Sequence, residues 1–171
     1  YCMYKKAAVR DNLQFAHGIT MSDPQRTKSE LKKVLKYQYR DGHTVRSWNP
    51  LDTVYYSDGP LWIVMTATGY LKYSGDMQFL DEIIPYFDED SGTVYEHLTK
   101  CIERINADRG PHNLPLARYA DWNDALNLNS ENAESVFVAM ALGYMLLEMI
   151  ELEKYLGHND LAEKYKKMHE K

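Results

Sequence analysis

The sequence is poor in several features that mark whole classes of protein. It has only two cysteines in 171 residues, Cys2 and Cys101, which is too few for a disulfide framework. Two well-separated thiols fit a reducing environment, and we expect a cytoplasmic location. The first twelve residues, "YCMYKKAAVRDN", lack the apolar core of a signal peptide, and no stretch is long and apolar enough to span a membrane.

Basic residues are outnumbered by acidic ones. The chain has 20 Lys and Arg against 25 Asp and Glu, a net charge of −5. A nucleic-acid surface needs a basic stripe, so we expect no nucleic-acid partner. No Gly-rich phosphate loop is present. The histidines show no metal-ligand spacing, and no metal or cofactor is predicted; they are His17, His43, His97, His112, His158 and His169.

Sustained alternation of apolar and polar residues is missing as well, so we expect few or no strands. Helix signals are plentiful in a composition that is 44% apolar. Ser22-Asp23-Pro24 predicts a helix that runs to about Tyr39 and stops near Gly42. Ser57-Asp58 followed by Pro60 predicts another. Further helices are predicted at about 91–106, at about 133–156, and after Gly157.

Two kinds of predicted helix follow one another along the chain. The helix after Asp23, the helix over 91–106 and the last helix each have one apolar stripe, whereas 61–71 and 135–147 are apolar almost all round. This order predicts an all-α fold, a barrel of helical hairpins in which one helix of each pair lines the inside. A helical bundle is the main alternative.

Four loop segments before or at these helices hold most of the unusual polar residues: "VRDNLQ" at 9–14, "YYSDGPLW" at 55–62, "HNLPLARYADWND" at 112–124 and "ENAESVF" at 131–137. Each segment also has a purely structural interpretation. Asp58 could cap a helix, Asp124 could cap a short turn, and Arg10 could form an ion pair with Asp11. Glu134 in a first helical turn would be favoured by the helix dipole. Taken singly, the residues leave both interpretations open.

Taken in order, the motifs resemble glycoside phosphorylases of glycoside hydrolase family 94, the family of cellobiose, chitobiose and 1,2-β-glucan phosphorylases. The resemblance covers nearly the whole chain. Its most specific parts are Arg10-Asp11 with Gln14, "SDGPLW", "TGYLKYSGD", "HNLPL", "DWNDALN" and "ESVF".

The resemblance implies an (α/α)6 barrel and inverting phosphorolysis of a β-linked disaccharide or oligosaccharide. Asp124, the second Asp of "DWND", matches the family's general acid, which must hold a proton at working pH. Inorganic phosphate is the nucleophile, so no enzymatic base is required, in contrast to an inverting hydrolase. Trp122 is expected to stack on or wall the donor sugar, and Arg10 matches an arginine that binds donor hydroxyls.

The other matched positions complete the predicted site. Gln14, Asp58, Asn123 and Glu134 are candidate substrate-binding residues, and we expect Asp121 with Asn123 to hold the loop. The chain departs from the family pattern at Phe15 and Gly59, where many members have Asp, and at Asn113, where Gly is common. The family's phosphate ligands, a His and a Thr-Gly pair, have no match after Glu134.

We therefore expect residues 1–171 to be part of a catalytic domain in a longer chain, inactive alone and completed by the rest of that chain. A homodimer is a separate expectation. An incomplete barrel would leave the helices at 60–71 and 135–147 exposed on their sides. Two alternatives stay open. One is an (α/α)6 hydrolase of the glucoamylase or trehalase kind with Glu134 as base. The other is a non-catalytic helical module that binds glycan or a partner.

Overall fold

The computed structural model describes residues 7–171 and contains six α-helices and two small sheets. Cys2 lies outside the described residues. The helices are α1 (Val9–Ile19), α2 (Pro24–Leu35), α3 (Gly59–Ser74), α4 (Val94–Ala107), α5 (Val136–Leu156) and α6 (Asn159–His169), with a 3-10 helix at Met77–Asp81. The strands are β1 (Ala7–Ala8), β2 (Ser47–Asn49), β3 (Leu51–Asp52), β4 (Ile83–Pro85) and β5 (Ser91–Thr93).

Local capping residues explain where the helices begin. The Asp23 carboxylate accepts a hydrogen bond of 2.9 Å from the backbone N–H of Arg26, with Pro24 in the first helical position. Thr93 and Glu96 form a capping box at the start of α4. The predicted helix starts at Pro24 and near Pro60 are therefore confirmed, as is the helical character of the chain.

The all-α prediction is wrong for the short segments between helices. Strands β1, β2 and β3 form one antiparallel sheet, and β4 pairs with β5 in another. Each strand has only two or three residues. A strand this short has no room for an alternating pattern, so no strand could be predicted from the residue pattern.

Three predicted helix ends also differ from the structure. Helix α2 ends at Leu35, because Gln38 pairs with Thr44 across a turn in which Gly42 has a φ of 99°. Helix α4 begins at Val94 rather than at residue 91, since 91–93 pair with β4. Helix α5 begins at Val136 rather than near 133, because Ser135 is its cap.

Helix α3 lies at the centre of the packing. It contacts α1, α2, α4 and α5, and ten of its 16 residues are buried. Helices α1, α2 and α4 each bury one stripe against the core. This agrees with the prediction that residues 61–71 form a buried helix, and it corrects the expectation that this helix would have an exposed side.

Helix α5 is different, because its first half is apolar all round but is buried on one side only. Val138, Leu142 and Met145 point into the core, and α6 packs beside the helix after a left-handed Gly157. The other side, here called the apolar face of α5, is exposed at Val136, Phe137, Met140, Tyr144 and Leu147. The expected exposure of an apolar helix is therefore confirmed for α5.

Within residues 7–171, no helix combines the length and the apolar character needed to cross a membrane.

Candidate active site

The loop that carries Asp124 is held beside the start of α3 by backbone pairing. The N–H of Ser57 donates to the carbonyl of Ala120 at 3.1 Å, and the N–H of Tyr119 donates to the carbonyl of Tyr55 at 3.2 Å. Two segments more than 60 positions apart thus run side by side, and this brings residues 121–124 next to Asp58.

An ion pair anchors the same loop to the end of α4. The Arg118 guanidinium binds both carboxylate oxygens of Asp108, whose side chain is buried. A forked Arg–carboxylate pair fixes geometry as well as charge. Arg118 holds this position with a φ of 56°, which few non-glycine residues adopt.

Arg10, in the first turn of α1, joins three segments of the chain. Its Nη1 donates to Asp58 Oδ2 at 3.0 Å and to the carbonyl of Asp121 at 3.1 Å, while its Nη2 donates to Asp124 Oδ1. Burial lowers the pKa of Arg10, but the two carboxylates outweigh this and raise it. Arg10 therefore pairs with Asp58 and Asp124, and not with its neighbour Asp11.

Asp58 stands at the cap position of α3, but its side chain makes no capping hydrogen bond. The carboxylate instead accepts hydrogen bonds of 3.0 Å from Arg10 and from Trp62 Nε1. It is almost fully buried, and this burial raises its pKa, against the opposing effect of Arg10 and Trp62. The structure therefore gives Asp58 a role other than capping.

Asp124 lies at the edge of this cluster with about half of its side chain exposed. One carboxylate oxygen meets Arg10, and the other lies 3.7 Å from Arg46 Nη2. Arg46 also pairs with Asp52 at 3.2 Å, and its guanidinium lies 4.5 Å from the centre of the Tyr56 ring. The carboxyl group of Asp124 therefore lies between two guanidiniums and is reachable from solvent.

These side chains surround a cavity of about 80 Å³. Its lining includes the side chains of Arg10, Asp11, Thr44, Arg46, Asp58 and Asp124. A larger groove of about 350 Å³ lies at the other end of α3, lined by apolar residues such as Leu71 and Leu152. Unlike that groove, the smaller cavity brings guanidiniums together with carboxylates, the kinds of group that acid–base chemistry needs.

Two further residues of the "DWND" motif make hydrogen bonds within the loop. Asp121 Oδ1 accepts from the N–H of Asn123 at 2.8 Å, and Asn123 Oδ1 accepts from the N–H of Ala125 at 3.2 Å. Such local side-chain bonds stabilise turns. The side chains of Asp121 and Asn123 therefore shape the turn that presents Asp124.

Glu134 precedes α5 and binds the 110–114 loop. Its carboxylate accepts from the N–H of His112 at 2.8 Å, from the N–H of Leu114 at 3.0 Å, and contacts His112 Nδ1 at 2.7 Å. The prediction that Glu134 stands in the first turn of a helix, where the helix dipole would favour it, is wrong, because α5 begins two residues later at Val136. Glu134 is not among the residues that line the cavity.

The bonds of Glu134 lead to a prediction about pH. Burial raises the pKa of Glu134, but the hydrogen bonds from His112 and Leu114 outweigh it and the pKa is lowered. A lowered carboxyl pKa stabilises the fold above the ordinary value of about 4.5 and loses that effect as the pH falls through the folded-state value. Protection of the Leu114 amide from hydrogen exchange should therefore be strong at neutral pH and weaken in acid.

The amide of Leu116 is the matched control, because it donates to the backbone carbonyl of Asp108, which does not titrate. Its protection should change little over the same range. In Glu134→Gln, protection at Leu114 should already be reduced at neutral pH. Equal protection of Leu114 at neutral and acid pH would show that the carboxylate does not hold this loop.

Besides Asn123 and Glu134, two more predicted site residues lie outside the cavity lining. Trp122 follows Asp121, but the residue is 55% exposed. Gln14 is one helical turn after Arg10 on α1, half-buried. Neither is among the side chains around the cavity. Arg10, Asp58 and Asp124 are the predicted residues that the fold brings together.

Two departures from the family pattern, at Gly59 and Phe15, can be located in the structure. A side-chain Cβ at Gly59 would clash with Thr44 Oγ1, so the buried Thr44 occupies the space that a larger residue would need. Thr44 lines the cavity in its place. Phe15, where many family members have Asp, is 52% exposed.

Sequence reasoning missed Arg46, Tyr56 and Ser135. Arg46 lies in a segment without a recognisable motif, and Tyr56 stands in the "YYSDGPLW" segment without a predicted role. Only the pairing of distant segments brings them to Asp124. Ser135 stands inside the "ESVF" motif, and its position before an apolar run was a capping signal. Among residues 7–171, no three His, Cys, Asp or Glu side chains are grouped so that they could hold a metal ion.

The matched family is the glycosyl hydrolase 94 superfamily, catalytic domain, whose model covers residues 4–171. The chain belongs to this family. This agrees with the resemblance carried by the "DWND" and "ESVF" motifs.

The chain is also similar in sequence to individual curated proteins. It is 45% identical to a solabiose phosphorylase of Paenibacillus borealis, over 85% of this chain and 19% of the relative. It is 30% identical to a 3-O-beta-D-glucopyranosyl-beta-D-glucuronide phosphorylase of the same organism, over 91% of this chain and 22% of the relative. It is 27% identical to an N,N'-diacetylchitobiose phosphorylase of Vibrio furnissii, over 93% of this chain and 23% of the relative. The chain thus spans about a fifth of the length of these relatives.

Proposed function

We propose that this chain carries the general acid of an inverting glycoside phosphorylase and that Asp124 is that acid. The observation that supports this most strongly is the position of Asp124, half-exposed at a cavity that also holds Arg10 and Asp58. The three relatives are each named as phosphorylases. The substrate class is then a β-linked disaccharide or oligosaccharide together with inorganic phosphate.

In the proposed reaction, the Asp124 carboxyl gives its proton to the glycosidic oxygen as the bond from that oxygen to the anomeric carbon breaks. An oxygen of inorganic phosphate forms a bond to the anomeric carbon from the opposite face. The products are a sugar 1-phosphate of inverted configuration and the free acceptor sugar. Arg10 and Arg46 face the carboxylate that remains on Asp124 and stabilise its charge. Phosphate is a co-substrate, and no cofactor takes part.

The donor sugar would meet Arg10 and Asp58, with Thr44 beside them where the chain has no carboxylate at Gly59. Trp122 would stack against the sugar from the exposed side of the loop, a common use of an indole face in sugar sites. Gln14 and Asn123 would add contacts at the edge of the site.

A hydrolase is the competing reaction. It needs a second carboxylate to activate water from the opposite face. Glu134 was the candidate base, and its oxygens bind the 110–114 loop instead. This observation favours phosphorolysis over hydrolysis.

Phosphate dependence tests the two reactions directly. The full-length protein that carries this chain is incubated with solabiose, N,N'-diacetylchitobiose or another β-linked disaccharide, with and without inorganic phosphate. We expect sugar 1-phosphate only when phosphate is present. Free donor sugar formed without phosphate would support a hydrolase. Binding of glycan with no turnover in either condition would support a non-catalytic module.

We also infer that the six helices are part of an (α/α)6 barrel completed by the rest of a longer chain. Support comes from the family match, from the much greater length of the relatives, and from the apolar face of α5. Monomeric soluble domains rarely leave so many large apolar side chains exposed on one helix. Further helices of the same chain would cover this face. A cytoplasmic location and a homodimer stay predictions.

The chain of 171 residues alone should therefore show no phosphorolysis, although it contains Asp124. The matches to the family's phosphate ligands are missing from it, and an acid without a bound nucleophile does not complete the displacement. The exposed face of α5 should make it self-associate. The measurements are sugar 1-phosphate formation and size-exclusion chromatography beside the full-length protein. A monomeric chain that turns over disaccharide would contradict both expectations.

A further inference from the structure

Ser135 connects the start of α5 to the loop that carries Asp124. Its hydroxyl donates to Asp121 Oδ2 at 2.6 Å and accepts from the N–H of Val138 at 3.0 Å. A serine hydroxyl has one proton to donate and can accept in addition, so both functions are used at once. The residue is buried, and its own N–H donates to the carbonyl of Pro115 at 2.8 Å.

Asp121 links Ser135 to the turn at residues 121–124. One carboxylate oxygen accepts from Ser135, and the other accepts from the N–H of Asn123 at 2.8 Å. Its backbone carbonyl accepts from Arg10 at 3.1 Å. Asp121 is itself buried, so these bonds are shielded from competing water.

Asp124 has no comparable support of its own. Its side chain is half-exposed and meets only Arg10 and Arg46 among the described ion pairs. Exposed pairs hold a geometry weakly. The direction of the Asp124 carboxyl therefore depends on the backbone of the turn, and that backbone is fixed through Asp121.

We propose that Ser135 is a positioning residue for Asp124. Ser135 is anchored as the cap of helix α5, and its hydroxyl holds Asp121, which in turn fixes the turn that carries Asp124. The proposal rests on the proposed role of Asp124 as general acid. Misplacing a reacting group by about 1 Å can lower a rate by about 10²-fold. A loss of the Ser135 hydroxyl should thus lower the catalytic step more than substrate binding.

The test compares Ser135→Ala with Thr93→Ala in the full-length protein. Thr93 is the cap of α4, and its hydroxyl accepts from the N–H of Glu96 at 3.1 Å, so both variants remove one capping hydroxyl. Each should weaken its helix to a similar extent, because each variant loses one capping hydrogen bond. Only Ser135→Ala should lower kcat for phosphorolysis, by roughly 10- to 100-fold with KM nearly unchanged. Ser135→Thr, which keeps a hydroxyl, should restore most of the rate.

Two more variants separate a failure of the positioning role from a failure of the proposed acid. Ser135→Gly removes the hydroxyl but is a tolerated cap residue, so it replaces Ser135→Ala if that variant does not fold. Asp124→Asn is the reference for the acid itself. If Asp124→Asn loses activity while the Ser135 variants behave like Thr93→Ala, the positioning role is wrong and the acid stands. If Asp124→Asn keeps its activity, the proposed function fails instead.

Discussion

Asp124→Asn should reduce phosphorolysis by the full-length protein by roughly 10²- to 10⁴-fold, the usual contribution of general acid catalysis. The amide has the shape of the carboxyl group but has no proton that it can give to the leaving oxygen. The fold should be unaffected, because Asp124 is half-exposed and its pairs with Arg10 and Arg46 lie at the surface. The measurement is the initial rate of sugar 1-phosphate formation, with thermal unfolding alongside.

The matched control is Glu131→Gln. Glu131 is exposed on the same long loop, and the change from carboxylate to amide is the same. It should leave the rate within a few-fold of wild type. An Asp124→Asn enzyme as active as this control would remove Asp124 from the role of acid.

Arg10→Met is expected to have the largest effect on stability, a loss of about 3–5 kcal/mol. The substitution keeps an apolar stem but leaves Asp58, which is almost fully buried, without its cation. Removing one partner of a buried ion pair is far more costly than removing a surface pair, because the remaining charge stays in a poorly polarisable environment. Urea unfolding of the full-length protein measures this difference.

Arg46→Met is the control for this prediction. Arg46 also pairs with two carboxylates, Asp52 and Asp124, but all three side chains are partly exposed. Its removal should cost about 1 kcal/mol or less. Replacing Asp58 by Asn in the Arg10→Met background should recover part of the loss, since the amide carries no charge and can still accept from Trp62. Equal effects of the two arginine substitutions would mean that burial of Asp58 does not govern the energetics of the site.

The two predictions assign different roles to two carboxylates of the same small cavity: Asp124 serves catalysis, and Asp58 serves stability. Asp124 is reachable and contributes little to stability, whereas Asp58 is buried and is tied to Arg10. A carboxylate that is buried and paired in this way fixes the position of the arginine. The arginine in turn faces both the acid and the space where the donor sugar is proposed to bind.

The site could be predicted from sequence only where its residues form local motifs. The segments around Arg10, Asp58 and Asp124 were recognised because each has several specific residue types within a few positions. The roles of Asp58 and Glu134 could not be assigned this way, since both stand near a helix start. Whether such a carboxylate caps the helix or binds elsewhere depends on which segments lie beside it, and those segments are distant in the chain.

By itself, the sequence determined the family, the helical class and the starts of α2, α3 and α6. These follow from short-range physics: capping residues, proline at a first helical position and the spacing of apolar residues act within one or two turns. Only the tertiary structure decided the short strands, the hydrogen bonds of Glu134 and the entry of Arg46, Tyr56 and Ser135 into the site. It also decided that α3 is covered while α5 keeps an exposed apolar face. Those outcomes depend on which segments pack together, and contacts between distant segments leave no local pattern in the sequence.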